Sequence, residues 1–234
     1  MQRIPEPELM DEPCQVQAYA AADFDRSDQA MVDQMAERCG GDGGDRVVDL
    51  GCGPGNITFR LAHRWPDADV LGIDGAARMV AIARQRLANE GLQTRLRFEQ
   101  ALLPLPPDHA WLGTCSAVVS NSLLHHLHNP QVLWQAVHQL AADHGWVYVQ
   151  DLRRPSSPAA VDLLVDQEMA DAPDVLRRDY RASLHAAFTP AEVKTQLQQA
   201  GLSGLTVEAH QDRYLVVWGR VSSSDRTSPG LTRG

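Results

Sequence analysis

This chain is short of the features that would mark a membrane, secreted or nucleic-acid-binding protein. Its four cysteines, Cys14, Cys39, Cys52 and Cys115, form no C-x-x-C pair, so they do not outline a zinc site and they read as thiols of a reducing compartment. No apolar run approaches the ~20 residues of a membrane helix. The first 13 residues are acidic and proline-bearing, with no apolar signal core. Positive charge is scarce: 21 Lys and Arg against 30 Asp and Glu leave a net charge of −9, which counts against a phosphate backbone as partner. No segment repeats. What remains is a chain of 234 residues, 44% hydrophobic, long enough for one full core. These absences imply a cytoplasmic protein without membrane or nucleic-acid partners, monomeric or homodimeric.

The richest stretch is Val47-Val48-Asp49-Leu50-Gly51-Cys52-Gly53-Pro54-Gly55-Asn56. A short apolar strand runs through an acid into three alternate glycines, and a helical segment follows. Glycines there permit a tight turn and close approach of a ligand to the backbone. A dinucleotide fingerprint would read G-x-G-x-x-G and offer a helix N-terminus to a pyrophosphate. Here Asn56 stands at the third glycine position, and Asp49 precedes the loop. A carboxylate repels a pyrophosphate and attracts an ammonium group. S-adenosylmethionine carries an α-ammonium, a sulfonium and no phosphate, and so suits the site. A second strand, Val70-Leu71-Gly72-Ile73-Asp74, ends in an acid about 20 residues on, where Rossmann-like folds bind ribose hydroxyls. A helix cap is the plainer role for Asp74 or Gly75.

Elsewhere strands and helices alternate, as in a parallel α/β sheet. Strands are predicted at 46–50, 69–73, 96–100, 117–120 and 146–150, with helices at 57–64, 76–90 and 130–143. Residues 14–39 read as one or two helices, joined to the sheet by the flexible run 40–44. Residues 152–189 break the rhythm with two amphipathic segments, 159–170 and 173–186. Thr189-Pro190-Ala191-Glu192 is a helix start, with threonine as N-cap, proline next and glutamate at the third position. That helix is predicted to end at Gly201, before strands at 205–209 and 214–219.

The glycine loop with Asp49, then Gly72-Ile73-Asp74 with Met79, Phe98-Glu99-Gln100-Ala101, and Val118 to Leu127 together resemble the class I S-adenosylmethionine-dependent methyltransferases. The likeness runs from about Val47 to Arg220 and is greatest to small-molecule enzymes related to those of ubiquinone and menaquinone biosynthesis. It implies an α/β, Rossmann-like, seven-stranded, mostly parallel sheet whose last strand is antiparallel, with helices on both faces and a small helical cap. The implied organisation is a leader and cap over 1–45, loose through residue 13, a methyltransferase domain over 46–220 with a substrate cover at 152–189, and a disordered tail over 221–234.

The resemblance also implies site residues. Asp49, Gly51, Cys52, Gly53, Asn56, Asp74, Gly75, Met79, Gln100, Ala101, Asn121 and Ser122 would bind the cofactor, Gln100 and Ala101 at the adenine edge. Met79 could equally be a core residue. The chain lacks the Asn/Asp-Pro-Pro-aromatic motif of adenine- and glutamine-modifying enzymes and the Pro-Cys loop of cytosine-modifying ones. It carries Asn121 where metal-dependent catechol-type enzymes need an aspartate. Polar small-molecule or lipid acceptors remain, methylated by in-line displacement to leave S-adenosylhomocysteine, through alignment and exclusion of water and without a metal. Among His125, His126 and His128 a structural role competes with a base or substrate contact, His126 being the candidate base beside Asp151. Tyr19, Phe24, Arg153 and Arg154 are candidate acceptor contacts, or plain core residues and a solvated basic pair. The rival readings are a non-catalytic binder of the same cofactor and a protein or RNA methyltransferase.

Overall fold

The computed structural model describes residues 1–222. Its elements run α1 (Pro13–Ala21), α2 (Asp25–Arg38), β1 (Arg46–Leu50), α3 (Asn56–Arg64), β2 (Asp69–Asp74), α4 (Ala77–Leu87), β3 (Leu96–Gln100), β4 (Cys115–Asn121), α5 (Gln131–Leu140), β5 (Ala141–Leu152), α6 (Pro158–Glu168), α7 (Asp174–Ala186), α8 (Pro190–Gln199), β6 (Thr206–His210) and β7 (Tyr214–Arg220). The seven strands form one sheet in the order β3-β2-β1-β4-β5-β7-β6. β1 to β5 are parallel, and β7 runs antiparallel between β5 and β6. The chain moves outward from β1 through β2 to β3, then returns to add β4 on β1's other side. Such a reversal opens a crevice at the carboxyl ends of β1 and β4, where open α/β sheets bind ligands.

Alternation along the strands divides the core between the two faces. Val47 of β1, Val119 of β4 and Tyr148 of β5 pack with Met31, Val32 and Met35 of α2 and with α3 and α4. Val48, Leu50, Val118, Val147 and Val149 pack on the opposite face with Trp134 and Val137 of α5 and Val193 and Leu197 of α8. The helix start at Thr189 forms the capping box that its residues predict: Thr189 Oγ1 accepts the Glu192 N–H at 3.3 Å, and the Thr189 N–H donates to Glu192 Oε2 at 2.7 Å.

Three expectations need correction. The helix at 130–143 stops at Leu140, because the Gln139 carbonyl is taken by the Gly113 N–H at 2.7 Å and the chain turns at once into a long β5. The leader is not loose. The Arg3 guanidinium donates to the carbonyls of Ala186, His125 and Leu127 and lies 4.0 Å over the Phe188 ring. At the leader's far end, Asp11 caps α4 by accepting the Arg78 N–H at 2.9 Å. The tail begins later than expected, since Val221 is fully buried and exchanges backbone bonds with His144 and Gly145. The rest of the expected tail, from residue 223 on, lies outside the described residues.

A second layer roofs the carboxyl edge of the sheet. α1 lies against α7 and α4, while α6 and α7 bury Val161, Leu164, Val165 and Leu184 together with Leu152. α2 instead belongs to the sheet. Among the described residues no helix is long and apolar enough to cross a membrane.

Candidate active site

The glycine loop forms the floor of a cavity of about 990 Å³. Gly51, Gly53 and Gly55 all take positive φ (72°, 52° and 90°), which is cheap only for glycine. A Cβ on Gly55 would strike Phe98 and Phe59, whereas one on Gly53 would meet nothing within 4 Å. The first therefore serves packing, and the second leaves bare backbone facing the cavity. The Gly51 and Cys52 N–H groups tie the loop to the Ile73 carbonyl at the end of β2. Asp74 then joins two turns: its carboxylate accepts the Gly53 N–H at 2.8 Å and the Ala76 N–H at 2.7 Å. Burial raises its pKa, against these two bonds. Its remaining lone pairs face the cavity, so the capping and ligand roles coexist.

Of the expected cofactor residues, Gly51, Gly53, Asp74, Gly75, Met79, Ala101, Asn121 and Ser122 line the cavity. Ser122 has φ 57°, a left-handed turn that swings the chain out of β4, and Asn121 Oδ1 is buried there with no partner. An orphaned acceptor beside bare loop backbone fits the ammonium and amide-facing groups of S-adenosylmethionine. Leu9 and Leu102 close over Gly75, where any Cβ would collide with them.

Four of the expected cofactor residues, Asp49, Cys52, Asn56 and Gln100, do not line the cavity. Asp49 is only 1% exposed behind the loop and accepts a hydrogen bond from Thr58 Oγ1 at 2.6 Å. Burial and the nearby Asp74 and Asp28 charges, working against that bond, push it up to about 7. Cys52 is buried under the loop. The Asn56 side chain accepts from Arg86 at 2.7 Å. Gln100 points to the surface, and only the following Ala101 reaches the cavity. A buried acid that lines the cavity without having been expected there is Asp28 of α2, pushed up to about 6 by burial. Sequence reasoning missed it, although it shares the helix stripe of Met31, Val32 and Met35 and so interrupts an apolar face.

The opposite wall carries the histidines. Leu124–His126 is a 3-10 turn, and it sets the His125 and His126 rings 4.2 Å apart, tilted by 36°. Asp151, 1% exposed at the end of β5, faces His125 Nδ1 at 2.6 Å and accepts the Leu124 N–H at 2.7 Å. With Nδ1 donating its proton to Asp151, Nε2 is left on the far side of the ring. There Glu6, from the leader, stands 3.5 Å away and also lies 3.4 Å from His126 Nδ1. Burial opposes charge on His125, but Asp151 and Glu6 outweigh it, and the pKa is raised. His126 goes the other way: burial and the His125 charge push it down to about 3. Asp151 does not line the cavity; its partner is His125, with which it forms a buried dyad. No spacing rule separates adjacent histidines, and nothing in the leader announces Glu6. Glu6, His125 and His126 also place three ligand-type atoms within 4.8 Å of one another, though the carboxylate is already shared by both rings.

Tyr19 and Phe24 line the cavity as expected, with ring centroids 4.9 Å apart. The arginine pair does not. Arg153 donates to the carbonyls of Gln211 and Asp212, and Arg154 to the Ala187 carbonyl and to Glu192 at 2.6 Å. The terminal nitrogens of both guanidiniums are engaged in these contacts and not in the cavity.

A family model described as "Methyltransferase domain" matches residues 47–145. The chain is 34% identical over 194 residues to a trans-aconitate 2-methyltransferase of Mycobacterium sp. (strain KMS), covering 82% of this chain and 69% of that protein. It is 33% identical over 174 residues to one of Mycolicibacterium gilvum (strain PYR-GCK), covering 73% and 61%. The fold matches a SAM-dependent methyltransferase from Aquifex aeolicus (TM-score 0.62, 16% identity, 89% and 98% covered). It also matches the plantazolicin methyltransferase BpumL in complex with SAH (TM-score 0.67, 13% identity, 90% and 91% covered). None of these relatives is a quinone-biosynthesis enzyme. With a glycine loop, ribose-side acid and covered cavity in place, the chain belongs to the class I S-adenosylmethionine-dependent methyltransferases.

Proposed function

We propose that the enzyme methylates a small-molecule acceptor inside the roofed cavity. The observation that carries this reading is the cavity itself. Its volume of about 990 Å³ stands at the upper end of the roughly 300–1,000 Å³ typical of ligand pockets, and so holds cofactor and acceptor together. Its cover of α1, the α6–α7 connection and α7 favours a small acceptor over a polymer. S-adenosylmethionine supplies the methyl group already activated on a sulfonium. The protein's part is to bind, orient, exclude water and handle a proton. Gly53 backbone, Asp74, Met79, Ala101, Asn121 and Ser122 hold the cofactor. Tyr19 and Phe24 pack on the acceptor. His125, held in one tautomer by Asp151, takes the proton that a hydroxyl or amine nucleophile gives up once the acceptor has replaced Glu6. Asp151 acts through His125 and is a positioning residue. His126, kept neutral, is a weak base and shapes the wall. The four free cysteines accord with a cytoplasmic setting, and the protein acts as a monomer or homodimer.

Calorimetry with S-adenosylmethionine, S-adenosylhomocysteine and NADH tests the cofactor, and a panel of metabolites that includes the relatives' trans-aconitate tests the acceptor. Binding of both sulfur ligands and not NADH, with turnover of a small acceptor, is the expected result. Methylation of protein or RNA alone would overturn the small-molecule reading.

A further inference from the structure

Among the described residues, every cation that lines the cavity is either matched by a carboxylate of the same chain or uncharged. Arg213 pairs with Glu168. His125 lies between Asp151 and Glu6. His128 stands beside Glu8. His126 is uncharged at neutral pH. The chain's single lysine, Lys194, belongs to α8 and does not line the cavity. Among the described residues, a negatively charged acceptor therefore meets no free guanidinium or ammonium in the lining.

The carboxylates are not so fully matched. Asp171 lines the cavity and has no partner among the described residues. Asp23 takes only the N–H of Asp25. Asp28 is buried with its nearest guanidinium, that of Arg60, at 4.0 Å. Asp179, by contrast, has both oxygens bonded, Oδ2 by the Gln15 amide at 2.9 Å and Oδ1 by the Arg178 guanidinium. The same cavity is lined by the Tyr19–Phe24 pair and, from the cover and β7, by Tyr180 and Tyr214. The Tyr180 hydroxyl is buried there with no hydrogen-bond partner. Aromatic faces in a lining that also carries unpaired carboxylates attract a cation through both ring quadrupole and charge. A polyanion would lose its hydration on entry and gain like charges in return.

We infer that the acceptor is a small amine, its positive charge carried on a flat apolar or aromatic body, and that polycarboxylic acids are excluded. This departs from trans-aconitate, the tricarboxylate in the names of the relatives, and it rests on the methyltransferase reading above.

The test uses the full chain saturated with S-adenosylhomocysteine. Calorimetric titration compares tyramine with 3-(4-hydroxyphenyl)propionate, two probes of similar size and opposite charge, and with trans-aconitate. Tyramine should bind about tenfold or more tighter than the acid, and trans-aconitate should give no binding heat. Equal affinity of amine and acid, failure of both to bind, or binding of trans-aconitate would overturn the inference. Two variants sharpen it. Glu168→Gln frees Arg213 and should raise the affinity of the acid about tenfold, and Asp171→Asn should lower that of tyramine about threefold, both with S-adenosylhomocysteine binding unchanged. An unaltered charge preference in both would sink the electrostatic account. If folded protein fails to bind S-adenosylhomocysteine, the methyltransferase reading itself falls. If it binds and discrimination is absent, only the acceptor class falls.

Discussion

The cofactor half and the acceptor half of the cavity are built on opposite plans. The cofactor half comes from the ends of adjacent parallel strands, and backbone does most of its work. Gly51 and Cys52 bond to Ile73, and Asp74 ties Gly53 to Ala76. The acceptor half is assembled from the leader, α1, the turn after β4, the cover and β7, and it works through side chains: His125 on Asp151, Glu6 on both histidines, Arg213 on Glu168. A ligand held by backbone geometry needs a fixed loop. A ligand recognised by side chains can change when any of several distant segments changes. The fold can thus keep one cofactor while the acceptor varies.

The sharpest way to break this comparison is at His125. His125→Ala should lower kcat by about 10²–10⁴ for an acceptor whose nucleophile carries a proton, with S-adenosylhomocysteine affinity unchanged. Because the pKa of His125 is raised, the unprotonated base is lost as pH falls from above the ordinary histidine value. Asp151→Asn should move that acid limb to lower pH. An unchanged kcat and pH profile would reduce the acceptor half to packing alone.

Next in size is an effect on the cofactor half's own stability. Asp49 is pushed up to about 7 and Asp28 to about 6, from an ordinary value of 3.8. The folded apoprotein therefore keeps protons that the unfolded chain releases, and its stability falls as pH rises from about 4 to about 7. Asn at position 49 cannot ionise. Asp49→Asn should flatten this dependence and stabilise the apoprotein at pH 8 by a few kcal/mol, since each tenfold change in proton affinity between the folded and unfolded chain is worth about 1.4 kcal/mol. Thermal melts across pH check it, and parallel curves for the two proteins would refute it. Asp74→Ala should weaken cofactor binding by about 1.5–3 kcal/mol, the worth of hydrogen bonds to a charged group. Asp49→Ala should matter less for direct contact, since its carboxylate lies behind the loop.

The same contrast explains what could be read from the sequence. Glycines at alternate positions and an acid closing the next strand are local patterns, so the loop, Asp74 and the order of strands were legible. Thr189 to Glu192 was legible because a capping box lies within four residues. Glu6 and Arg3 lie more than 100 residues from the histidine turn they meet, and no periodicity reports such a contact. Asp28 could have been found as an acid on an apolar stripe. Gln100 and Asn56 were misplaced because a motif fixes a backbone position while the side chain can turn away from the ligand.

Arg3 measures how firmly the two halves are joined. Its three carbonyl bonds and its stacking on Phe188 hold a leader that reaches from the cover to α4. Arg3→Ala should cost about 1–2 kcal/mol, by the worth of bonds to a charged donor. Hydrogen exchange over residues 4–12 should quicken, with the β1 and β4 amides unaffected. Equal protection in both proteins would mean that the leader is held without it.

The smallest effect is expected at the two arginines that the sequence offers as acceptor contacts. The Arg153 guanidinium already serves the Gln211 and Asp212 carbonyls at the protein surface, and Arg153→Ala should change stability by no more than about 0.5 kcal/mol. Arg154 is buried and braces both Ala187 and the capping glutamate Glu192, so Arg154→Ala should lower the melting temperature. Neither change should alter the KM for the acceptor, because neither side chain reaches the cavity. A raised KM in Arg153→Ala with an unchanged melting temperature would return the arginine to the acceptor half. It would also supply the free cation that the cavity lining lacks, and a carboxylate acceptor would then fit.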